Sequence, residues 1–294
     1  MRPPSLDAVK RAIGAEVART VYSYEERDVA LYALGIGAPA DPLDQDELKF
    51  VYEKSGAGFQ VFPTFPVVFA YEFNRNVPTG EIAGIEYNPM MVVSGEQHLR
   101  LLQPLPTSGT VTSTVTVSDI FDKGSGLLMM TAIDSYDERG KQLAAARASL
   151  FMRGLGGFGG ERGPSSRWLV PDGAPDFIAQ EATLPTQALL YRLAGDDNPL
   201  HADPPMAAIG GYEKPILHGL CTMGFAARAV LRHCANNDPS RFESIGLRFS
   251  QPVFPGDTLA TEIWRRPQGE IAFQTKVKER GVVVLSHGQL RLRD

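Results

Sequence analysis

The chain has 294 residues, about twice the usual domain length, and its composition, 43% hydrophobic and 21% charged, is that of a soluble globular protein. A net charge of −5, from 29 basic and 34 acidic residues, argues against a nucleic-acid or anionic-membrane surface. No window approaches the ~18 uninterrupted apolar residues of a transmembrane span. Two cysteines only, Cys221 and Cys234, suit neither a disulfide framework nor a zinc set and point to a reducing compartment.

The N-terminal run MRPPSLDAVKRAIGAEVART lacks the apolar core of a secretory signal, and the final LRLRD carries no peroxisomal-type tripeptide, so the expected place is cytoplasmic. Next comes Tyr32-Ala-Leu34, and then the apolar run Phe65-Pro-Val-Val-Phe-Ala70. Pro78, Gly80, Gly84 and Pro89 follow, so any helix there is short or broken. Thr110 to Val117 reads as a strand, with Val111, Ser113, Val115 and Val117 on one face and threonines dominating the other. Residues 103–153 open Gln-Pro, turn at a glycine and give three β-rich runs, the last two split by Glu138-Arg-Gly140. Residues 251–293 repeat that plan in the same order, with Glu279-Arg-Gly281 at the split, and Tyr191-Arg-Leu193 echoes Tyr32-Ala-Leu34 upstream. Several matches in one order indicate a tandem duplication.

Residues 154–176 lie between the copies. Gly154, Gly156 and Gly159 formally spell a dinucleotide fingerprint, but that reading needs a helix to open on the third glycine. Gly160, Gly163, Pro164, Pro171 and Pro175 follow instead, so the segment reads as a linker. In the second copy a helix is expected over Leu217–His233, with Leu220, Met223, Ala227 and Val230 on one stripe and small residues where a sheet can wrap closely. One helix followed by strands in each half is an α+β pattern with antiparallel strands.

Chemistry concentrates in YRLAGDDNPLHADPPM (191–206) and KPILHGLCTMG (214–224). On a regular helix Asp196 and His201 would point about 140° apart, and Pro199 disfavours helix at Asn198. A turn through Asn198-Pro199 lets both converge on one volume, where a carboxylate and an imidazole can hold a water and exchange protons with it. Downstream, Gly219 opens the apolar helix, whose free N–H groups form an oxyanion site. Plainer readings stay open. Asp196, Asp197 and Asn198 before a proline suit a turn or helix cap. His218 suits a hydrogen-bonded helix start as well as a catalyst, and Lys123-Gly124 suits a hairpin turn, Phe249 a core position. A metal site at Asp196, His201, Asp203 or His218 matches no familiar ligand spacing, so no metal is expected. His98, His233 and His287 read as structural or solvated, and Cys221 as packing.

With these motifs, and with SGEQHLRLLQPLP (94–106), FDKGSG (121–126), GGFGGERG (156–163) and FSQPVFPGDTL (249–259), nearly the whole chain resembles the MaoC-like (R)-specific 2-enoyl-CoA hydratases, the hydratase 2 family. The resemblance implies a double hot-dog fold: residues 1–153 form a degenerate repeat that binds acyl chain and CoA, 154–176 a linker, and 177–294 the catalytic repeat. It also implies reversible syn hydration of trans-2-enoyl-CoA to (3R)-3-hydroxyacyl-CoA. Asp196 and His201 would activate water and deliver a proton, Asn198 would orient them, and the Gly219 amide would bind the thioester carbonyl. Ser94, Gly95, Lys123, Asp197, Pro199, Leu200 and Phe249 would bind substrate, although family members commonly carry His where this chain has Ser94. No cofactor is implied beyond the coenzyme A of the acyl-CoA substrate, no nucleic acid or membrane partner, and a homodimer is one assembly open to it. The first copy, Tyr32-Ala-Leu-Gly-Ile-Gly37, lacks the acid and the histidine, leaving one active site per chain. A thioesterase on the same fold, or an acyl-CoA-binding protein without turnover, are the competing readings.

Overall fold

A computed structural model describes residues 2–164 and 170–293. The first half runs α1 (Leu6–Ala12), β1 (Glu16–Tyr24), α2 (Glu26–Gly35), α3 (Gln45–Leu48), α4 (Tyr71–Asn76) and the two-residue strands β2 (Glu81–Ile82) and β3 (Ile85–Glu86). It closes with β4 (Val92–Leu101), β5 (Gly109–Asp122), β6 (Gly126–Tyr136) and β7 (Gln142–Arg153). The second half runs β8 (Phe177–Ala182), α5 (Gln187–Tyr191), α6 (Pro204–Ile209), α7 (Gly219–Ala235), β9 (Phe242–Phe249), β10 (Thr258–Arg265), β11 (Glu270–Val277) and β12 (Val282–Leu292). Ten strands form one antiparallel sheet in the order β1-β5-β6-β7-β4-β9-β12-β11-β10-β8. Read outward from the β4–β9 junction, each half repeats the same order, as a tandem duplication requires. Leu99 faces Ile245 across that junction.

The repeat extends to side chains. In β5 the buried face carries Val111, Ser113, Val115 and Val117, as the alternation predicts. Ser113 shares a buried hydroxyl–hydroxyl bond of 2.8 Å with Ser135 of β6, and Thr261 repeats it with Thr275 between β10 and β11 at 3.0 Å. The helix expected over 217–233 spans Gly219–Ala235, two residues later at each end, and Asn236 in the left-handed region closes it. It is wrapped by β8, β9, β10 and β12, so the second half is a sheet around a long helix, and the first half repeats its strand order in the double hot-dog arrangement. Among the described residues of the first half no comparable helix lies at the matching place: Phe65–Val68 is a single 3-10 turn followed by the six residues of α4. Phe50, Phe62, Phe65 and Phe69 are nonetheless buried to 1% exposure or less, so aromatic volume fills part of the helix's place.

Small residues set how closely α7 approaches the first half. A Cβ on Gly224 would run into Ile36 at the end of α2. Gly224→Ala is therefore expected to lower the unfolding free energy by ~1–2 kcal/mol, overpacking outweighing the helix-propensity gain, read as a lower urea midpoint at an unchanged m value. The glycine-rich segment is not the free linker its composition suggests. Asp122 accepts N–H bonds from Gly124, Gly157 and Gly159 at 2.8–2.9 Å, and these amides, that of Gly157 foremost, hold its carboxyl below the usual range. Lys123 Nζ donates to the carbonyls of Arg162 and Pro164. Residues 154–164 are thus folded back on the β5–β6 hairpin; residues 165–169 of the segment lie outside the described residues.

Candidate active site

The site is built on the irregular stretch between α5 and α6. Gly195, at φ +132°, breaks the helical turn against the Tyr71 ring of the first half. Two Asx turns follow: the Asn198 amide donates to Asp196 Oδ1 at 3.3 Å, and the Leu200 amide donates to Asn198 Oδ1 at 3.0 Å. Asn198 thereby caps the 3-10 turn Pro199–His201, its Oδ1 used by the turn and its own amide reaching the carboxylate. This folding brings Asp196 and His201 together, and His218 with them: one donor atom from each lies within 4.8 Å of the others.

Both imidazole tautomers follow from carbonyl partners, which can only accept. His201 Nδ1–H donates to Ile216 O at 2.9 Å, leaving Nε2 with a free lone pair. His218 Nε2–H donates to Asp196 O at 3.1 Å and lies 3.8 Å from Asp196 Oδ1. The site is enclosed, with the Asp196 side chain 13% exposed and that of His218 1%. Burial pushes the Asp196 carboxyl up to about 7, with neighbouring Asp197 adding to it against the Asn198 amide. Burial pushes His201 down to about 4 and holds His218 well below its ordinary value. The three groups are close enough to suggest an ion, but the His201 and His218 rings stack at 3.8 Å and 29°. With its Nε2–H given to the Asp196 carbonyl, His218 offers no lone pair at the atom nearest Asp196, where a tetrahedral ion needs donors converging at ~2 Å.

Gly219 opens α7, and as first helical residue its amide has no intrahelical acceptor. The Phe249 ring lies over it, so near that a Cβ on Gly219 would sit 2.9–3.0 Å from ring carbons. The β4–β9 register ends at Glu96–Arg248, and Gly95 and Ser94 stand one and two residues further along β4, toward the end of β9 that carries Phe249. Gly95 sits in a bulge where a Cβ would meet Ser149 Oγ at 2.5 Å, and Ser94 is exposed. Lys123 stands in the β5–β6 turn at the same end of the sheet, its ammonium turned to the 162–164 carbonyls.

Asp197 is half-exposed and ion-paired with Arg75 of α4 at 3.0 Å, a cross-half link with no local signal in the sequence. Pro199 is exposed, and Leu200 packs near Gly210. His98, His233 and His287 engage Glu96, Phe177 and Ser286. Cys221 is a buried thiol bonded to Gly35 O, its pKa raised by burial, in keeping with packing.

Residues 22–154 match the family model "MFE-2 hydratase 2 N-terminal domain", and 169–287 match "MaoC like domain". The chain is 44% identical over 284 residues to a Dictyostelium discoideum protein named probable enoyl-CoA hydratase 2, covering 95% of each. It is also 44% identical to the mouse peroxisomal multifunctional enzyme type 2, covering 99% of this chain and 39% of that one. The crystal structure of a MaoC-like dehydratase from Phytophthora capsici superposes with a TM-score of 0.87 at 37% identity, covering 97% of this chain and 98% of that one. The two family models together take in most of the chain, relatives match it over nearly its whole length, and the chain belongs to the enoyl-CoA hydratase 2 family of MaoC-like proteins.

Proposed function

We propose that the protein hydrates trans-2-enoyl-CoA reversibly to (3R)-3-hydroxyacyl-CoA in fatty acyl-CoA metabolism. The observation that carries this is the enclosed convergence of Asp196 and His201 on His218, the residue before the Gly219 amide that opens α7. Burial displaces the two groups in opposite senses, so between about 4 and about 7 the pair holds one proton, and it sits on Asp196. His201 Nε2 takes a proton from water as its oxygen bonds to C3, while the Asp196 carboxyl gives its proton to C2. Both groups rise from one loop, so both additions come from one face of the double bond, which is syn hydration. The electron pair moving toward the thioester oxygen is met by the Gly219 N–H at the helix N-terminus. The pair resets by passing the His201 proton to Asp196. Only water and protons move, so the step needs no redox cofactor.

In this reading residues 177–294 carry the chemistry and 1–153 bind substrate, with Ser94, Gly95, Phe249, Leu200, Pro199 and Asp197 around the acyl-CoA. Lys123, at the same end of the sheet, would meet the polyanionic CoA. Among the described residues no helix is long and apolar enough to cross a membrane. A cytoplasmic place, with both cysteines reduced, is proposed for this chain, although the mouse relative is named as peroxisomal.

The test follows loss of enoyl-thioester absorbance across chain lengths, with a stereospecific 3-hydroxyacyl-CoA dehydrogenase reporting the hand of the product. An S product, or no turnover at any length, would sink the proposal. The pH profile adds a sign. kcat/KM is expected to rise as pH passes about 4, where His201 loses its proton, and to fall as it passes about 7, where Asp196 ionises. A profile still climbing through pH ~8 would contradict the assignment of acid and base.

A further inference from the structure

His218 takes no part in the proton transfers above, yet it is among the most enclosed groups of the site. Its ring contacts two others, Tyr191 at 4.9 Å and 52° and His201 at 3.8 Å and 29°. The series continues into the first half, Tyr191 to Tyr32 at 6.0 Å and Tyr32 to Phe65 at 5.4 Å. Tyr32 and Tyr191 are themselves fully buried. Aromatic contacts therefore run from the core of the non-catalytic half to the imidazole of His201. His218 Nδ1 is buried with no hydrogen-bond partner, as is the Tyr191 hydroxyl. A buried polar atom left unmet costs about 1–3 kcal/mol, and Leu or Phe would fill the volume without that cost.

We propose that His218 is a positioning residue for the hydration reaction, fixing the plane of the His201 imidazole by stacking and the Asp196 segment by its bond to the Asp196 carbonyl. This rests on the reading of Asp196 and His201 given above. His201 has one in-plane restraint, the Nδ1–H bond to Ile216 O, about which its ring can still swing. Stacking against a ring that is itself held by its bond to the Asp196 carbonyl and its contact with Tyr191 removes that freedom and keeps Nε2 aimed at the water. The stack also excludes solvent from one face of His201, which favours the neutral base. The groups facing His218 are Asp196 and His201 from the catalytic loop, Tyr191 from α5 and Arg192 beside it. Burial first, then His201 and Arg192, keep His218 itself neutral across the working range.

The experiment compares His218→Ala, which removes ring and donor, with His218→Phe, which restores the ring alone, and His218→Gln, which restores a donor alone. Each is measured by steady-state hydration kinetics and by NMR titration of the His201 imidazole. For the alanine variant kcat is expected to fall ~100-fold with KM within about threefold, since misplacement of a reacting group by ~1 Å costs that much. The His201 midpoint is expected to move from about 4 toward the ordinary imidazole value of 6.5. The phenylalanine variant should recover the low midpoint and most of kcat, the glutamine variant neither. A wild-type kcat and His201 titration in the alanine variant, or a phenylalanine variant no nearer to wild type than glutamine, would overturn the proposal. If the alanine variant does not fold, the phenylalanine and glutamine variants decide. A wild-type enzyme that hydrates no enoyl-CoA would defeat the functional reading instead, and the titration arm would still decide whether His218 braces His201.

Discussion

Asp196→Asn is expected to lower kcat/KM for hydration about a thousandfold, the usual range for losing a positioned acid–base group, while raising the thermal midpoint at pH 8. The amide copies the shape of the protonated acid and can keep the Asn198 contact, but it cannot release a proton to C2. The stability gain follows from linkage. Burial raises the Asp196 pKa from 3.8 to about 7. A group raised in this way costs the folded state progressively more as pH climbs through that window, and the cost is complete above it. At ~1.4 kcal/mol per pH unit the cost reaches up to about 4 kcal/mol, and the asparagine variant escapes it. Stability should therefore diverge above pH ~4 and differ most above ~7. His201→Ala should lose activity to a similar degree, and the double variant little more than either single one, because the two act as one device. A variant that is inactive because it is unfolded, or an Asp196→Asn enzyme within tenfold of wild type, would remove the basis for the mechanism. Activity and stability pulling in opposite directions at one residue is what a buried catalytic carboxylate predicts.

Legibility from sequence followed the range of the interactions. The Asp196–His201 convergence rests on a turn closed within six residues, and the α7 helix on a local period, so both could be read from spacing. The duplicated sheet was readable because two copies of one pattern stand in the same order. The placement of His218 was not, because its stack joins residues from α5, the catalytic loop and the start of α7. Asn198 appeared in the motif as an orienting group, but its side chain holds the Leu200 amide and orders the site through the turn. The Arg75–Asp197 pair joins the two halves, and no periodicity announces it. The glycine-rich run 154–164 has the composition of a linker and yet is pinned by Asp122 and Lys123, because glycine amides can gather around a carboxylate when no side chain intervenes.

Arg228→Leu is expected to produce the largest loss of stability of any single change in the catalytic helix. Arg228 is 1% exposed in the middle of α7 and holds Glu47 of the first half through Nη2 at 2.8 Å to both carboxylate oxygens. Through Nη1 it also holds Glu181 of β8 at 2.7 Å and the Ile36 carbonyl at 3.2 Å. Leucine would leave Glu47 buried without a counter-charge, a loss of ~3–5 kcal/mol, or about 10 °C in Tm for a chain of this size. The pH dependence should show the sign. Burial already raises the Glu181 carboxyl against the pull of Arg228. Without the guanidinium the Glu181 carboxyl loses the pull that opposes its burial and is raised further, so the variant's stability is present in acid and is lost as pH rises through the new folded pKa of that group. Replacing Glu47 and Glu181 by apolar residues in the Arg228→Leu background should restore most of the loss, since a well-packed apolar set can replace a buried ion network. If the single variant melts within ~2 °C of wild type, the network is not what joins the halves. Activity should survive in the restored variant, because Gly219 is carried by the helix backbone, and the helix needs only to stay seated against Ile36.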